Sequence, residues 1–241
     1  MIKAILFDLD GTLLLSDSDE FTKAYFAELT KYLAPLHDPK ELPAVIWAGT
    51  KEMVKNDGSR TNEDAFWESY CGFYGKDARA DEPVFAEFYA TKYTELKILC
   101  GKHPGMDSFT KALKEAGYKL VIATNPLFPL NVQKERISWT GVDPELPDLI
   151  TSYENCHYSK PNPDYYREII EQIGISPEEC LMVGNDVKED METGLEVGMK
   201  VFLMPEFLLN REGKDISGYP QGDFSALKSY ILENGAYPVS F

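Results

Sequence analysis

Two rhythms of apolar and polar residues divide this chain. Residues 3–7 read KAILF, a short run with the length and bulk of a strand buried on both faces. Residues 17–98 follow a helical period instead. Phe21, Ala24, Tyr25, Ala27, Leu29, Tyr32 and Leu33 recur at spacings that share one helix face, until Pro35 ends the run. The same period predicts a helix over 40–56, one opening at Asn62, and one holding Val84, Phe85, Phe88, Tyr89 and Tyr93. No strand is expected in this block.

From about residue 105 helices and strands alternate. A helix over 107–116 is stopped by Gly117 and followed by the strand YKLVIAT. A helix over 130–140 precedes Gly141, and DLIT at 148–151 reads as a short strand. Asn162 and Pro163 suit the cap and first turn of a helix that ends at Gly174. CLMVG (180–184), a helix to about 197, KVFLM (200–204) and a last helix near 224–233 complete the pattern. Strands separated by ten-residue helices imply a parallel sheet with crossovers. The predicted fold is therefore α/β: a doubly wound parallel sheet built from 1–16 and 99–241, with an all-α block over 17–98 inserted after the first strand.

Charge narrows the function. With 24 Lys and Arg against 40 Asp and Glu, the net charge is −16. No basic patch is dense enough to neutralise a nucleic-acid backbone, and nothing favours an anionic membrane. The four cysteines, Cys71, Cys100, Cys156 and Cys180, form no close pair, and the three histidines are scattered. Structural zinc is not expected, and reduced thiols without a leader segment suit the cytoplasm.

The polar residues at the carboxyl ends of the strands carry the chemistry, because ligands of open α/β sheets bind there. The first strand ends in Asp8-Leu9-Asp10-Gly11-Thr12, the second in Thr124-Asn125, and the fourth in Gly184-Asn185-Asp186 with Asp190 beyond. Lys160 lies in SKPNP, just before a helix. Two carboxylates about 4 Å apart repel by roughly 4 kcal/mol at an effective dielectric near 20. Several such groups around one lysine call for a cation, and an all-oxygen donor set suits Mg²⁺ better than zinc.

This constellation resembles the haloacid dehalogenase-like (HAD) hydrolase superfamily. AILFDLDGTLL (4–14), LVIATN (120–125), SKPNPDYY (159–166) and LMVGNDVKED (181–190) look like its four motifs in order. The helical block resembles the cap module of one subgroup. The resemblance implies a Mg²⁺-dependent phosphatase with a small phosphorylated metabolite as its partner. It implies that Asp8 is the nucleophile and Asp10 the general acid and base. Thr124, Asn125 and Lys160 would hold the phosphoryl oxygens, and Asp8, Asp10 (through its carbonyl), Asp186 and Asp190 would surround the metal. The chain departs from the pattern at Asn185, where many relatives carry the acid that here falls on Asp186. Tyr165 and Tyr166 read as packing residues. Trp47 and Lys51 share a helix face, read more readily as a core tryptophan beside an exposed lysine. A phosphomutase of the same family, dehalogenase or phosphonate chemistry, and a non-catalytic binding protein on the same scaffold are the competing readings.

Overall fold

The computed structural model describes Met1–Phe241. Its centre is strand β1 (Ala4–Phe7), flanked on one side by β4 (Lys119–Ile122) and on the other by β6 (Cys180–Gly184). Short β5 (Leu149–Ile150) and β7 (Lys200–Leu203) complete a five-stranded sheet of order β5-β4-β1-β6-β7 with every pair parallel. The register sets Phe7 beside Ile122 and Val183, so the carboxyl ends of the three central strands stop side by side.

Alternation along β1 sorts its side chains between two cores. Ile5 and Phe7 join a large cluster with Phe109, Leu113 and Ile122, whereas Ala4 and Leu6 join Tyr165, Tyr166, Ile169 and Met182 on the opposite face. Helices α5 (Met106–Ala116), α6 (Leu130–Trp139) and α9 (Phe224–Asn234) contribute to the large cluster, and α7 (Pro163–Ile173) to the other. Capping accounts for the ends of α7. The Asn162 side chain accepts from the amide of Asp164, Pro163 opens the first turn, and Gly174 leaves the helix at φ 65.

The inserted block contains α1 (Ser18–Leu33), α2 (Leu42–Val54), α3 (Asn62–Tyr74) and α4 (Glu82–Ala90). Tyr93, expected in the last helix, falls instead in a 3₁₀ segment, Lys92–Leu99, after the chain turns at Thr91. Aromatic contacts join the block to the core. Tyr93 stacks on Trp139 at 5.6 Å between centroids, and Tyr25 meets Phe128 edge-on at 5.4 Å. Such pairs add about 0.5–1.5 kcal/mol each beyond the area they bury.

Two further features differ from the sequence expectation. Strands β2 (Leu14–Leu15) and β3 (Gly101–Lys102) form an antiparallel ribbon where the chain enters and leaves the helical block. At two residues each, they are too short to show any alternation. After β6, residues Val187–Glu192 wind as a wide π-type turn before the short helix α8 (Thr193–Glu196), where a single helix was expected. The Asp186 side chain caps that turn, accepting from the amides of Lys188 and Glu189. All four cysteines are free, and no helix is long and apolar enough to cross a membrane.

Asp148 ties β4 and β5 together at the edge of the sheet. It accepts from Lys114 Nζ at 2.7 Å, Lys119 Nζ at 3.3 Å and the Leu120 amide at 2.9 Å. Partial burial resists its ionisation, yet these donors outweigh it and hold the carboxyl below its ordinary value. The stability it contributes is therefore present above its unfolded pKa near 4 and is lost as pH falls through the lower folded value. Asp148→Asn is expected to cost about 0.5–1 kcal/mol at pH 7, allowing for solvent screening. Urea unfolding should show that deficit shrinking at pH 3; an equal deficit at both pH values would remove the charge from the explanation.

Candidate active site

Asp8 follows β1 directly, and its amide donates to the carbonyl of Val183 at 2.8 Å, which carries the strand pairing to the edge of the site. Gly11 then turns the chain at φ 72, where a side chain is strained. A Cβ at Gly11 would also lie 2.3 Å from Asn185 Nδ2. The first loop is thus pressed against the loop after β6. Thr12 Oγ1 reinforces this contact by donating to Asn185 Oδ1 at 3.2 Å.

Lys160 is the junction of the site. Its Nζ donates to Asp8 Oδ1 at 2.9 Å and to Asp190 Oδ1 at 2.7 Å, and the lysine is only 2 % exposed. The second oxygen of Asp190 accepts from the amides of Asn185 at 3.1 Å and Asp186 at 3.0 Å. Gly184 makes this possible, since a Cβ there would lie 2.1 Å from that oxygen. One buried chain of charges, Asp8–Lys160–Asp190, therefore runs from β1 to the turn after β6.

Electrostatics follow from this burial. Asp8 is pushed up to about 8 by desolvation and by Asp190 and Asp10, with Lys160 pulling the other way. For Lys160 burial works against the charge, but Asp190 and Asp8 outweigh it and the amine is held well above its ordinary value. Glu189 is pushed up to about 7, mainly by burial, which Lys160 opposes and Asp190 and Asp186 reinforce.

The other expected residues fall around this chain. Asp10 sits at the mouth with its side chain 34 % exposed. Thr124 is buried, and its carbonyl accepts from Thr151 Oγ1 at 2.7 Å and from the Tyr165 hydroxyl at 2.8 Å. Asn125 donates to Glu189 Oε2 at 3.3 Å and leaves its own Oδ1 buried without a partner. Asn185 uses both ends of its amide structurally, accepting from Thr12 and donating to the Phe207 carbonyl at 2.7 Å. Asp186 caps the π-type turn with one oxygen and pairs with Arg211 through the other at 2.8 Å.

The acids expected around a metal already make protein contacts with their side chains. Both oxygens of Asp190 are already engaged, and Asp10 meets the guanidinium of Arg136. No group of three or more His, Cys, Asp or Glu side chains is gathered to hold an ion unaided. The donor chemistry still fits Mg²⁺. That ion is commonly held by one or two carboxylates and completed by water and substrate phosphate. Asp8 on the first loop and Asp186 on the loop after β6 can supply two such carboxylates. The charges fit as well, since Asp8, Asp10, Asp186 and Asp190 are set against only Lys160, Arg136 and Arg211.

Sequence reasoning did not find several residues that shape the site. Arg136 on α6 is buried, bonds to Asp10, and lies under Phe21 at 5.3 Å and Phe128 at 5.5 Å. In the sequence it is one more polar position on a helix. The glutamine one turn earlier, Gln133, is equally buried and accepts from it at 3.4 Å. Asn62 is also fully buried. It reaches Pro126 O at 3.3 Å, Tyr158 O at 3.2 Å and Ser159 Oγ at 3.1 Å, seating α3 against the residues next to Lys160. Tyr166, read as packing, does pack, but its hydroxyl also donates to the Glu189 carbonyl at 3.1 Å and to Asp190 at 3.4 Å.

A carboxylate pair at the end of the first strand, a buried lysine before a helix and an acid-bearing turn after the fourth strand define a hydrolase site of recognised type. A family model described as haloacid dehalogenase-like hydrolase matches residues 2–198, and the chain belongs to that family. It is 28% identical over 204 residues to glyceraldehyde 3-phosphate phosphatase of Methanocaldococcus jannaschii, covering 83% of each chain. It is 26% identical over 221 residues to phosphoglycolate phosphatase of Aquifex aeolicus, covering 87% of this chain and 93% of that one. Among solved structures, a predicted phosphoglycolate phosphatase from Haemophilus somnus shares the fold with a TM-score of 0.59. That match has 20% identity and covers 95% of this chain and 97% of the other.

Arg136 and Asp10 form a pair whose guanidinium is buried and whose carboxylate is partly exposed, so removing the carboxylate strands a buried cation. Asp10→Asn is expected to lower stability by about 2 kcal/mol and phosphate-ester hydrolysis by about a hundredfold or more. The double variant Asp10→Asn/Arg136→Met should regain stability without regaining activity. Thermal unfolding and phosphate release on the same samples check both parts; an unchanged Tm in the single variant would remove the pair from the account.

Proposed function

We propose that the protein is a Mg²⁺-dependent phosphatase that hydrolyses a small phosphate monoester through a phosphoryl group carried on Asp8. The observation that supports this most directly is the buried Asp8–Lys160 contact with a second, more exposed carboxylate, Asp10, two residues along. Asp8 attacks phosphorus while the ester P–O bond breaks, and Asp10 gives a proton to the departing oxygen. Water then attacks the acyl phosphate, Asp10 recovers a proton from it, and Asp8 is released with inorganic phosphate. Lys160 and the end of β4 at Thr124 and Asn125 hold the phosphoryl oxygens as negative charge builds on them. Asp190 keeps Lys160 and the turn after β6 in place.

Asp8, the Asp10 carbonyl and Asp186 hold the Mg²⁺ in this reading, and when bound it neutralises charge between nucleophile and phosphate. Asn185 is committed to joining two loops, which supports Asp186 as the acid of that strand end. The helical block over 17–98 serves as the cap that excludes water from the cleft. Its seat through Asn62 beside Ser159 and Lys160 supports that role. Free thiols, two of them buried, support a cytoplasmic setting.

Phosphate release from sugar phosphates, nucleotides and small esters, with Mg²⁺ and with excess EDTA, tests the reading. Release should require the metal and fall by roughly a thousandfold or more in Asp8→Asn with its fold intact by circular dichroism. Comparable turnover by the folded Asp8→Asn enzyme would contradict the mechanism.

A further inference from the structure

Beside the cleft, the helical block and the core enclose a second hollow of about 340 Å³. The phosphate chemistry makes no use of it. Thirteen of its 19 lining residues are hydrophobic, and aromatic side chains from α1, α2 and α3, among them Phe26, Trp47, Phe66 and Trp67, form much of its wall. Trp47, which the sequence suggests as a core residue, is 47 % exposed and belongs to this rim.

Two observations say what the hollow takes. First, no lysine or arginine lines it, and its charged residues are Glu82 and Glu154. Both oxygens of Glu154 accept from the Leu130 amide at the start of α6, so that carboxylate already has a structural use. Glu82 is paired with Arg79 at 3.2 Å, so a phosphate or carboxylate would enter a partly dry site with no free cation in its lining, which is disfavoured. Second, the hollow borders residues that lie next to the site. Phe128 lines it and also lies 5.5 Å from the guanidinium of Arg136, which holds Asp10. Leu127, Phe128 and Pro129 continue directly from Thr124 and Asn125.

We infer that this hollow binds an uncharged, largely apolar group, aromatic or branched-alkyl, belonging to the alcohol portion of the phosphate ester. The favoured substrate then carries one phosphate and no second anionic group. This rests on the phosphatase reading of the cleft and adds the class of substrate to it. A carboxylate-bearing ester of the kind hydrolysed by a phosphoglycolate phosphatase falls outside that class.

The test compares 2-phenylethyl phosphate, phosphoglycolate and acetyl phosphate by kcat/KM. A parallel titration of 2-phenylethanol or glycolate is read by tryptophan fluorescence, since Trp47 and Trp67 both line the hollow. The phenylethyl ester should exceed phosphoglycolate by about tenfold or more. Ala86→Phe, which fills the hollow from an exposed position on α4, and Trp47→Ala, which removes part of its wall, should each lower kcat/KM for the phenylethyl ester by about tenfold. Neither should change kcat/KM for acetyl phosphate, which is too short to reach the hollow. 2-Phenylethanol should change the fluorescence and inhibit competitively, whereas glycolate should do neither. A preference for phosphoglycolate, or variants that affect all three substrates alike, would overturn the inference. Non-competitive inhibition by 2-phenylethanol would also overturn it, making the hollow a separate effector site. Binding of 2-phenylethanol, lost in Ala86→Phe, with no ester hydrolysed would support the hollow as an apolar site while overturning the phosphatase reading.

Discussion

A lysine with almost no access to water, bonded on both sides by carboxylates, is the constraint on which this molecule depends. Lys160 cannot stay charged at 2 % exposure without Asp8 and Asp190, and neither carboxylate is comfortable there without the lysine. Holding all three together dictates much of the local backbone. Gly184 must lack a side chain for Asp190 to approach, the chain after β6 must widen into a π-type turn, and Tyr166 must bring its hydroxyl beneath Asp190. Breaking a buried pair by removing one member costs about 3–5 kcal/mol. The site and the sheet that carries it are therefore stabilised by the same contacts.

The helical block is connected to this cluster by two different kinds of interaction. Aromatic packing of Phe21, Tyr25 and Tyr93 against Phe128 and Trp139 supplies broad apolar adhesion. Asn62 adds a directional contact, because its amide is shared among groups from the loops after β4 and before α7. Arg136 lies where the two kinds meet, with Phe21 of the block on its guanidinium and Asp10 of the site as its partner. The position of the block and the orientation of Asp10 are in this way parts of one arrangement.

Much of this organisation was legible in the sequence wherever pattern and chemistry are local. The buried strands at 4–7, 119–122 and 180–184 announce themselves as unbroken apolar runs, and the cap and stop of α7 are written as Asn162-Pro163 and Gly174. Asp8, Thr124, Lys160 and Asp186 stand out as candidates because each lies at a strand end or in a recognisable motif. Arg136, Gln133 and Asn62 do not. A buried polar residue on a helix has the same sequence signature as an exposed one until its distant partners are known. The ribbon of β2 and β3 was missed for a different reason, since two residues cannot display a period of two. The partners of the four acids were hidden too, because motif order does not reveal which oxygen each backbone amide or arginine will occupy.

The central claim is that Asp8 becomes covalently phosphorylated. The most direct measurement is mass spectrometry of the Asp10→Asn variant, acid-quenched after mixing with p-nitrophenyl phosphate and Mg²⁺. Asp10→Asn should slow release of the phosphoryl group, so the account predicts one phosphoryl adduct on the peptide containing Asp8, absent when Asp8 is also changed to Asn. An adduct on a different residue, or turnover by the native enzyme with no adduct trapped at Asp8, would contradict it.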